Sequence, residues 1–324
     1  MVHPKENIAL IGYGYWGKKL YKYLKQSPHF LLQYVYFPSL QKLDQKEIQY
    51  AYGSEFIADI DKIWADPLLR NVVIATPIPT HFELARTALS RKKNVLVEKP
   101  CTIHHAETKQ LADIASRQGL ILETEYTYTY SRALQQARTL VEQGAIGTLR
   151  GISIAQKQLG RFLPYDVYLL LGSHALSILD LFVPLNKLEF STVPTMEWQG
   201  VTTASVTHFT RAGELAGSID LSLHCPKKER KVMICGEKGT ITYALDDKDI
   251  LALVNYDIPD AASGQAQINK NQTFTFDENN NLELAVNNFY ECVIRKKEPN
   301  AQRSLRISAA LDTLRKNSTQ PTAR

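Results

Sequence analysis

Long apolar runs are missing from this 324-residue chain, and cysteine is scarce. No stretch approaches the ~20 apolar residues that cross a bilayer. The start, Met1-Val-His-Pro-Lys-Glu leading into Ile8-Ala-Leu-Ile11, lacks the basic segment, extended apolar stretch and cleavage site of an export signal. A membrane partner is therefore not expected, and the cytoplasm is the expected compartment. The four cysteines (Cys101, Cys225, Cys235, Cys292) include no Cys-x-x-Cys pair. His104 and His105 lie near Cys101, but no second Cys/His cluster completes a tetrahedral set. Reduced thiols are expected, with neither a disulfide frame nor a metal site. Long basic runs are absent too. The net charge of +5 is dispersed, and residues 91–93, 227–231 and 295–297 are short clusters beside apolar segments. They read as solvated element ends rather than a nucleic-acid stripe, while a mildly basic surface favours an anionic substrate or cofactor.

What is present is apolar material for two ordinary cores, 44% of the residues. Through about residue 123, short β-branched runs at 8–11, 32–37, 72–75, 95–97 and 120–122 alternate with amphipathic stretches at 16–25, 81–91 and 104–118. That alternation predicts βαβ units on a parallel sheet. After Glu123 a helix at 132–143 gives way to consecutive alternating strands at 201–210, 214–223, 231–235 and 240–244. Strands following one another directly imply a mainly antiparallel or mixed sheet. Residues 257–276, polar and rich in Gln and Asn, predict an exposed loop or hairpin. Helices at 282–295 and 304–316 end the chain and are expected to pack across the domains. The predicted fold is α/β. A doubly wound Rossmann domain over 1–123 precedes an α+β domain over 124–324 with a large open sheet, whose exposed face predicts a homodimer or homotetramer.

One loop carries chemistry. The strand ending at Ile11 runs into Gly12-Tyr-Gly14-Tyr15-Trp16-Gly17 and then a helix. In that context Gly12 permits a tight turn and Gly14 admits a pyrophosphate to the backbone. Gly17 lets helix and strand pack closely, and the helix N-terminus presents N–H groups to the anion. A dinucleotide, NAD or NADP, is the expected cofactor. A NAD site usually ends its second strand with an acid on the adenosine ribose. Here that strand reads Leu32-Gln-Tyr-Val-Tyr-Phe37-Pro-Ser39, with no acid before Asp44. With Ser39 and Lys42 available to a 2′-phosphate, the balance leans to NADP.

Further segments resemble the Gfo/Idh/MocA family of dehydrogenases, which act mostly on sugars, cyclitols and sugar nucleotides. They are the glycine loop, Ala75-Thr76-Pro77-Ile-Pro-Thr80-His81, Val97-Glu98-Lys99-Pro100, Tyr126-Thr-Tyr128-Thr-Tyr130-Ser131, Gly144-x-x-Gly147, Gly172-Ser-His174 and Gly236-Glu-Lys-Gly239-Thr240. The resemblance runs nearly end to end. The stretch His174-Ala-Leu-Ser177 looks closest to members acting on nucleotide-linked amino or acetamido sugars, so a carbohydrate or sugar nucleotide is the implied substrate. It implies that Thr76, Pro77 and His81 line the nicotinamide-ribose side of a cleft. Glu98 and Lys99 would lie at its floor, and Lys99 and His174 would face one substrate hydroxyl. The chemistry agrees, since carbinol oxidation needs a cation for the developing alkoxide and a neutral base for the proton. Burial and a neighbouring positive charge would lower the pKa of Lys99. A helix start at His174 would keep its imidazole neutral.

The family usually has Asp four residues before this His, and here that position is Leu170. Ser177 is uncharged, and Asp166 and Asp180 lack the helical offset to replace it. Two further readings therefore stand beside the dehydrogenase. One is a relative that binds without turnover. The other is an imine-type reductase, which needs no His–Asp pair and could draw a proton from Tyr126, Tyr128 or Tyr130. That tyrosine run also fits a strand with one aromatic face.

Overall fold

The computed structural model describes residues 4–43, 53–244, 249–257, 265–276, 280–295 and 299–319. The chain divides into two compact units, Met1–Tyr126 with Asn280–Ser308, and Thr127–Asn279 with Ala309–Arg324.

In the first unit, strands β1 (Glu6–Ile11), β2 (Phe30–Tyr36), β3 (Glu55–Ile57), β4 (Asn71–Ile74), β5 (Asn94–Glu98) and β6 (Leu122–Glu125) form one sheet in the order β3-β2-β1-β4-β5-β6. Every pairing in it is parallel. Successive residues of each strand point to opposite faces, and both faces are apolar. Ala9, Ile11, Val72, Ile74, Val95 and Val97 pack against Ala85, Ala88 and Leu89 of α3 (His81–Ser90) and Leu111 and Ala115 of α4 (His105–Gln118). Ile8, Leu10, Val73 and Leu96 pack against Leu20 and Leu24 of α1 (Tyr15–Gln26) and against Leu282, Val286 and Phe289 of α7 (Asn281–Arg295). Strand β3 and the short helix α2 (Asp61–Ala65) are additions to the expected pattern.

In the second unit, β7 (Leu149–Leu159), β8 (Glu189–Trp198), β9 (Val201–Arg211), β10 (Leu215–Ser222), β11 (His224–Gly236), β12 (Gly239–Ala244), β13 (Asp249–Asp257) and β14 (Gln267–Phe276) make an eight-stranded sheet ordered β14-β13-β12-β11-β7-β10-β9-β8. Only the β7–β10 pairing is parallel. Ile152, Ile154, Ile219, Leu221, Val232, Ile234 and Tyr243 are buried on one face. Helix α5 (Arg132–Glu142) packs on β12–β14, and α6 (Ser173–Leu179) packs on β7. Ser131 caps α5 by accepting the Leu134 N–H and also meets the Tyr243 hydroxyl at 3.2 Å. The last helix, α8 (Ala301–Thr319), contributes residues to both units.

Two expectations change. The tyrosine run is no strand, because Thr127–Tyr130 is a 3₁₀ turn. His174 is not at a helix start, because Tyr168–Gly172 forms a π-helical turn that continues directly into α6. The Gln/Asn-rich segment forms the β13–β14 hairpin, with residues 258–264 outside the described ones. No described helix is long and apolar enough to cross a membrane.

Candidate functional site

The parallel strands β1, β4 and β5 all deliver their C-terminal ends to one edge of the first unit. At the end of β1 the chain turns at Gly12, whose φ of +104° suits glycine, and its N–H bonds the Tyr36 carbonyl at 3.0 Å. A β-carbon there would lie 2.6 Å from the Ala75 carbonyl oxygen. Gly17 is equally restricted, because a β-carbon on it would overlap the Gly12 carbonyl oxygen. Gly14 differs. It caps α1 without a side-chain bond, and a β-carbon built on it meets no atom within 4 Å. So two glycines are dictated by the protein's own packing, while the third faces open space at a helix N-terminus. This is the cradle an anionic dinucleotide fits.

Cations and aromatic rings surround that cradle. The Lys18 ammonium lies 5.4 Å from the centre of the Tyr13 ring. The Lys19 ammonium lies 4.5 Å from the Tyr15 ring and 4.1 Å from the Trp16 ring. Tyr13 packs edge-on against Tyr21, Phe37 and Phe56. Phe37 therefore does more than remove the usual acid, because its ring joins an aromatic cluster beneath the loop. Ser39 and Lys42 lie in the next turn, where the Ser39 carbonyl accepts the Lys42 N–H.

Past β4, the Thr76 and Thr80 hydroxyls are 2.6 Å apart, and Thr80 also donates to the Pro77 carbonyl. His81 is buried, its ring nitrogens 2.9 Å from the Thr76 carbonyl oxygen and 3.0 Å from that of Pro100. The ring straps the segment after β4 to the segment after β5. Burial pushes its pKa down, an effect stronger than the opposing pull of these carbonyls. Glu98, which ends β5, is buried as well. One of its oxygens accepts the Lys99 N–H at 3.3 Å and the other has no hydrogen-bond partner. Burial raises its carboxyl to about 7 against the opposing pull of the Lys99 and Lys19 charges. Lys99 itself is half-buried.

The structure thus gathers Gly12, Gly14, Tyr15, Trp16, Gly17, Thr76, Pro77, His81, Glu98 and Lys99 within one unit. His174 belongs to the other unit, where it is 9% exposed and its ring meets Tyr128 edge-on at 4.9 Å. The Arg230 guanidinium lies 5.9 Å from the far-reaching Tyr128 ring. Leu170 stands where the resemblance places an acid. Asp166 accepts the Leu169 N–H and the Arg315 guanidinium, and Ser177 donates to the His174 carbonyl rather than to its ring. Tyr126 is a poor proton donor, because burial pushes its hydroxyl pKa far up. Lys18 and Lys19 escaped the sequence reading, which named Tyr128 only as a proton donor for an imine-type reductase. A paired Lys directly after Gly17 was the visible signal for the first two, and nothing local marked Tyr128 as a neighbour of His174.

The first unit is a dinucleotide-type Rossmann domain, and the second is an open-sheet α+β domain. Residues 6–126 match the model of the Gfo/Idh/MocA oxidoreductase family, described as having an NAD-binding Rossmann fold. Two curated relatives share parts of it. An uncharacterized oxidoreductase of Escherichia coli is 35% identical over 94 residues, which are 29% of this chain and 27% of that one. A dTDP-3,4-didehydro-2,6-dideoxy-alpha-D-glucose 3-reductase of Streptomyces violaceoruber is 39% identical over 82 residues, 25% of this chain and 24% of that one. These matches span about a quarter of each relative. Whole-chain fold likeness comes from solved structures. A 3-ketoreductase from Actinomadura kijaniata in complex with TDP-benzene and NADP gives a TM-score of 0.84 at 16% identity, covering 97% of this chain and 98% of that one. GenD2, from gentamicin A biosynthesis and in complex with NAD, gives 0.82 at 18% identity, covering 99% and 96%.

Proposed function

We propose that this protein is an NAD(P)-dependent oxidoreductase acting on the CH–OH or C=O group of a carbohydrate, most specifically a nucleotide-linked sugar. The observation that carries the reading is Gly14. Gly12 and Gly17 are explained by internal packing, whereas the space above Gly14 is used by no protein atom. Gly12, Gly14, Tyr15, Trp16, Gly17, Ser39, Thr76, Pro77, His81, Glu98 and Lys99 would hold the cofactor, His81 by fixing backbone. When bound, the nicotinamide supplies or accepts the hydride. We assign the substrate oxygen to Lys99, whose ammonium stabilises developing negative charge, and the hydroxyl proton to the His174 imidazole. The sugar-nucleotide part draws on the two reductases above, whose names specify dTDP- and TDP-linked ligands.

A second reading, binding without turnover, is favoured by one feature. Leu170 stands where the resemblance places an acid four residues before this histidine, and Asp166 is committed to Arg315. A screen of UDP- and dTDP-sugars with NADH and NADPH separates the two. Turnover of any sugar nucleotide supports the enzyme, and binding of cofactor and sugar with no turnover supports the second reading.

A further inference from the structure

Helix α1 begins with no acidic residue in its first turn and with adjacent cations, Lys18 and Lys19, directly after Gly17. The two lysines diverge. Lys18 stands over Tyr13, whose ring packs on Phe37 after β2 and on Phe56 of β3. Lys19 stands over Trp16 and is close enough to Glu98, at the end of β5, for its charge to act on that carboxyl. The sheet order β3-β2-β1-β4-β5-β6 puts β2 and β5 on opposite sides of β1. Lys18 thus serves the β2 side of the glycine loop and Lys19 the β5 side.

In a Rossmann dinucleotide site, the end of the second strand meets the adenosine ribose. An acid there bonds the 2′-hydroxyl and repels a 2′-phosphate, and a cation nearby admits the phosphate. Here the acid position holds Phe37, whose ring lies 6.1 Å from Tyr13, so position 37 carries no carboxylate to repel an anion. On the other hand, the same Tyr13 ring supports an ammonium group. A lysine held over an aromatic face loses less freedom on meeting a phosphate than one in open solvent. Lys42, by contrast, lies in a separate 3₁₀ turn, Leu40–Lys42.

We infer that Lys18 receives the 2′-phosphate of an NADP-type cofactor, so that cofactor choice is set from helix α1 rather than from the end of β2. This rests on the dinucleotide reading proposed above.

The test compares wild type, Lys18→Ala, Lys19→Ala and Lys42→Ala by fluorescence titration with NADPH and with NADH, without any substrate. Wild type is expected to bind NADPH at least as tightly as NADH. Lys18→Ala should weaken NADPH about tenfold or more while leaving NADH within about twofold. Lys19→Ala should weaken both cofactors alike or neither. Three results would overturn the inference: an equal loss of both cofactors in Lys18→Ala, an unchanged NADPH affinity there, or a selective NADPH loss in Lys42→Ala instead. If wild type binds NADH and the Lys18→Ala ratio does not move, only this inference fails. If wild type binds neither cofactor, the dinucleotide reading fails and takes the inference with it.

Discussion

Gly17 lies against Gly12 so closely that no β-carbon fits between the first turn of α1 and the end of β1. This contact fixes where the helix starts relative to the sheet, and thereby where its N-terminus points. It also separates two roles that one glycine motif usually conflates. Gly17→Ala should destabilise the first unit by about 1–3 kcal/mol, the usual range for overpacking, with more possible because the obstacle is backbone. Gly12→Ala should do the same, adding the strain of a φ of +104°. Urea denaturation of both variants checks this, and stabilities equal to wild type would contradict it.

Glu98 gives a pH signature opposite to that of an ordinary surface carboxylate. In the unfolded chain the carboxyl loses its proton near its usual 4.5, whereas in the fold it keeps it to about 7. Between those values the folded state holds the extra proton. This group's effect on stability is therefore most favourable below pH 4.5, worsens as pH rises to about 7, and stays constant above. Glu98→Gln should remove the slope and stabilise the protein above pH 7 by up to about 3 kcal/mol. Denaturation midpoints of both proteins at pH 5 and pH 8 measure it. Parallel pH dependences would show that the carboxyl is not held protonated.

The thiols should divide by burial. Cys101 and Cys292 are buried, and burial raises the Cys101 thiol to about 11. Cys225 and Cys235 are half-buried. A thiol-disulfide reagent at pH 8 should therefore label Cys225 and Cys235 on the native protein, and Cys101 only after unfolding. Labelling of native Cys101 would contradict its placement.

Lys99→Ala and His174→Ala test the assigned chemistry. Each should lower turnover about a hundredfold or more, the usual cost of removing a positioned proton-transfer or electrostatic group. Leu170→Asp should raise the rate or shift its pH profile. Rates untouched by all three substitutions would move the chemistry elsewhere.

The parallel sheet and the glycine loop were legible because both faces of β1, β4 and β5 are buried, leaving short β-branched runs punctuated by Gly and Pro. The segment around His174 was not. Val167, Tyr168, Leu169 and Leu171 are buried nearly all round, so no periodicity marks the π-helical turn, and Gly172 reads as a helix start when it lies inside one. Tyr126, Tyr128 and Tyr130 recur at every second residue as one face of a strand would, yet Thr127–Tyr130 is a 3₁₀ turn in which the consecutive Tyr128 and Thr129 are both buried. Of the candidate site, the glycines and the Thr-Pro and Glu-Lys-Pro segments could be read from spacing and resemblance. The strap made by His81 and the divergence of Lys18 and Lys19 depend on packing between distant segments, which spacing does not encode.

Whether Gly14 is glycine for a ligand's sake is decided by calorimetry. Wild type and Gly14→Val are titrated calorimetrically with NADH and NADPH, after circular dichroism and urea denaturation establish that both are folded. Because a side chain at Gly14 meets no protein atom within 4 Å at its first carbon, the variant should fold with near wild-type stability. Wild type should bind a reduced dinucleotide saturably, and Gly14→Val should bind it about tenfold more weakly or worse, a loss of ~1.4 kcal/mol or more. Equal affinities in two folded proteins, or no binding by wild type, would contradict the account.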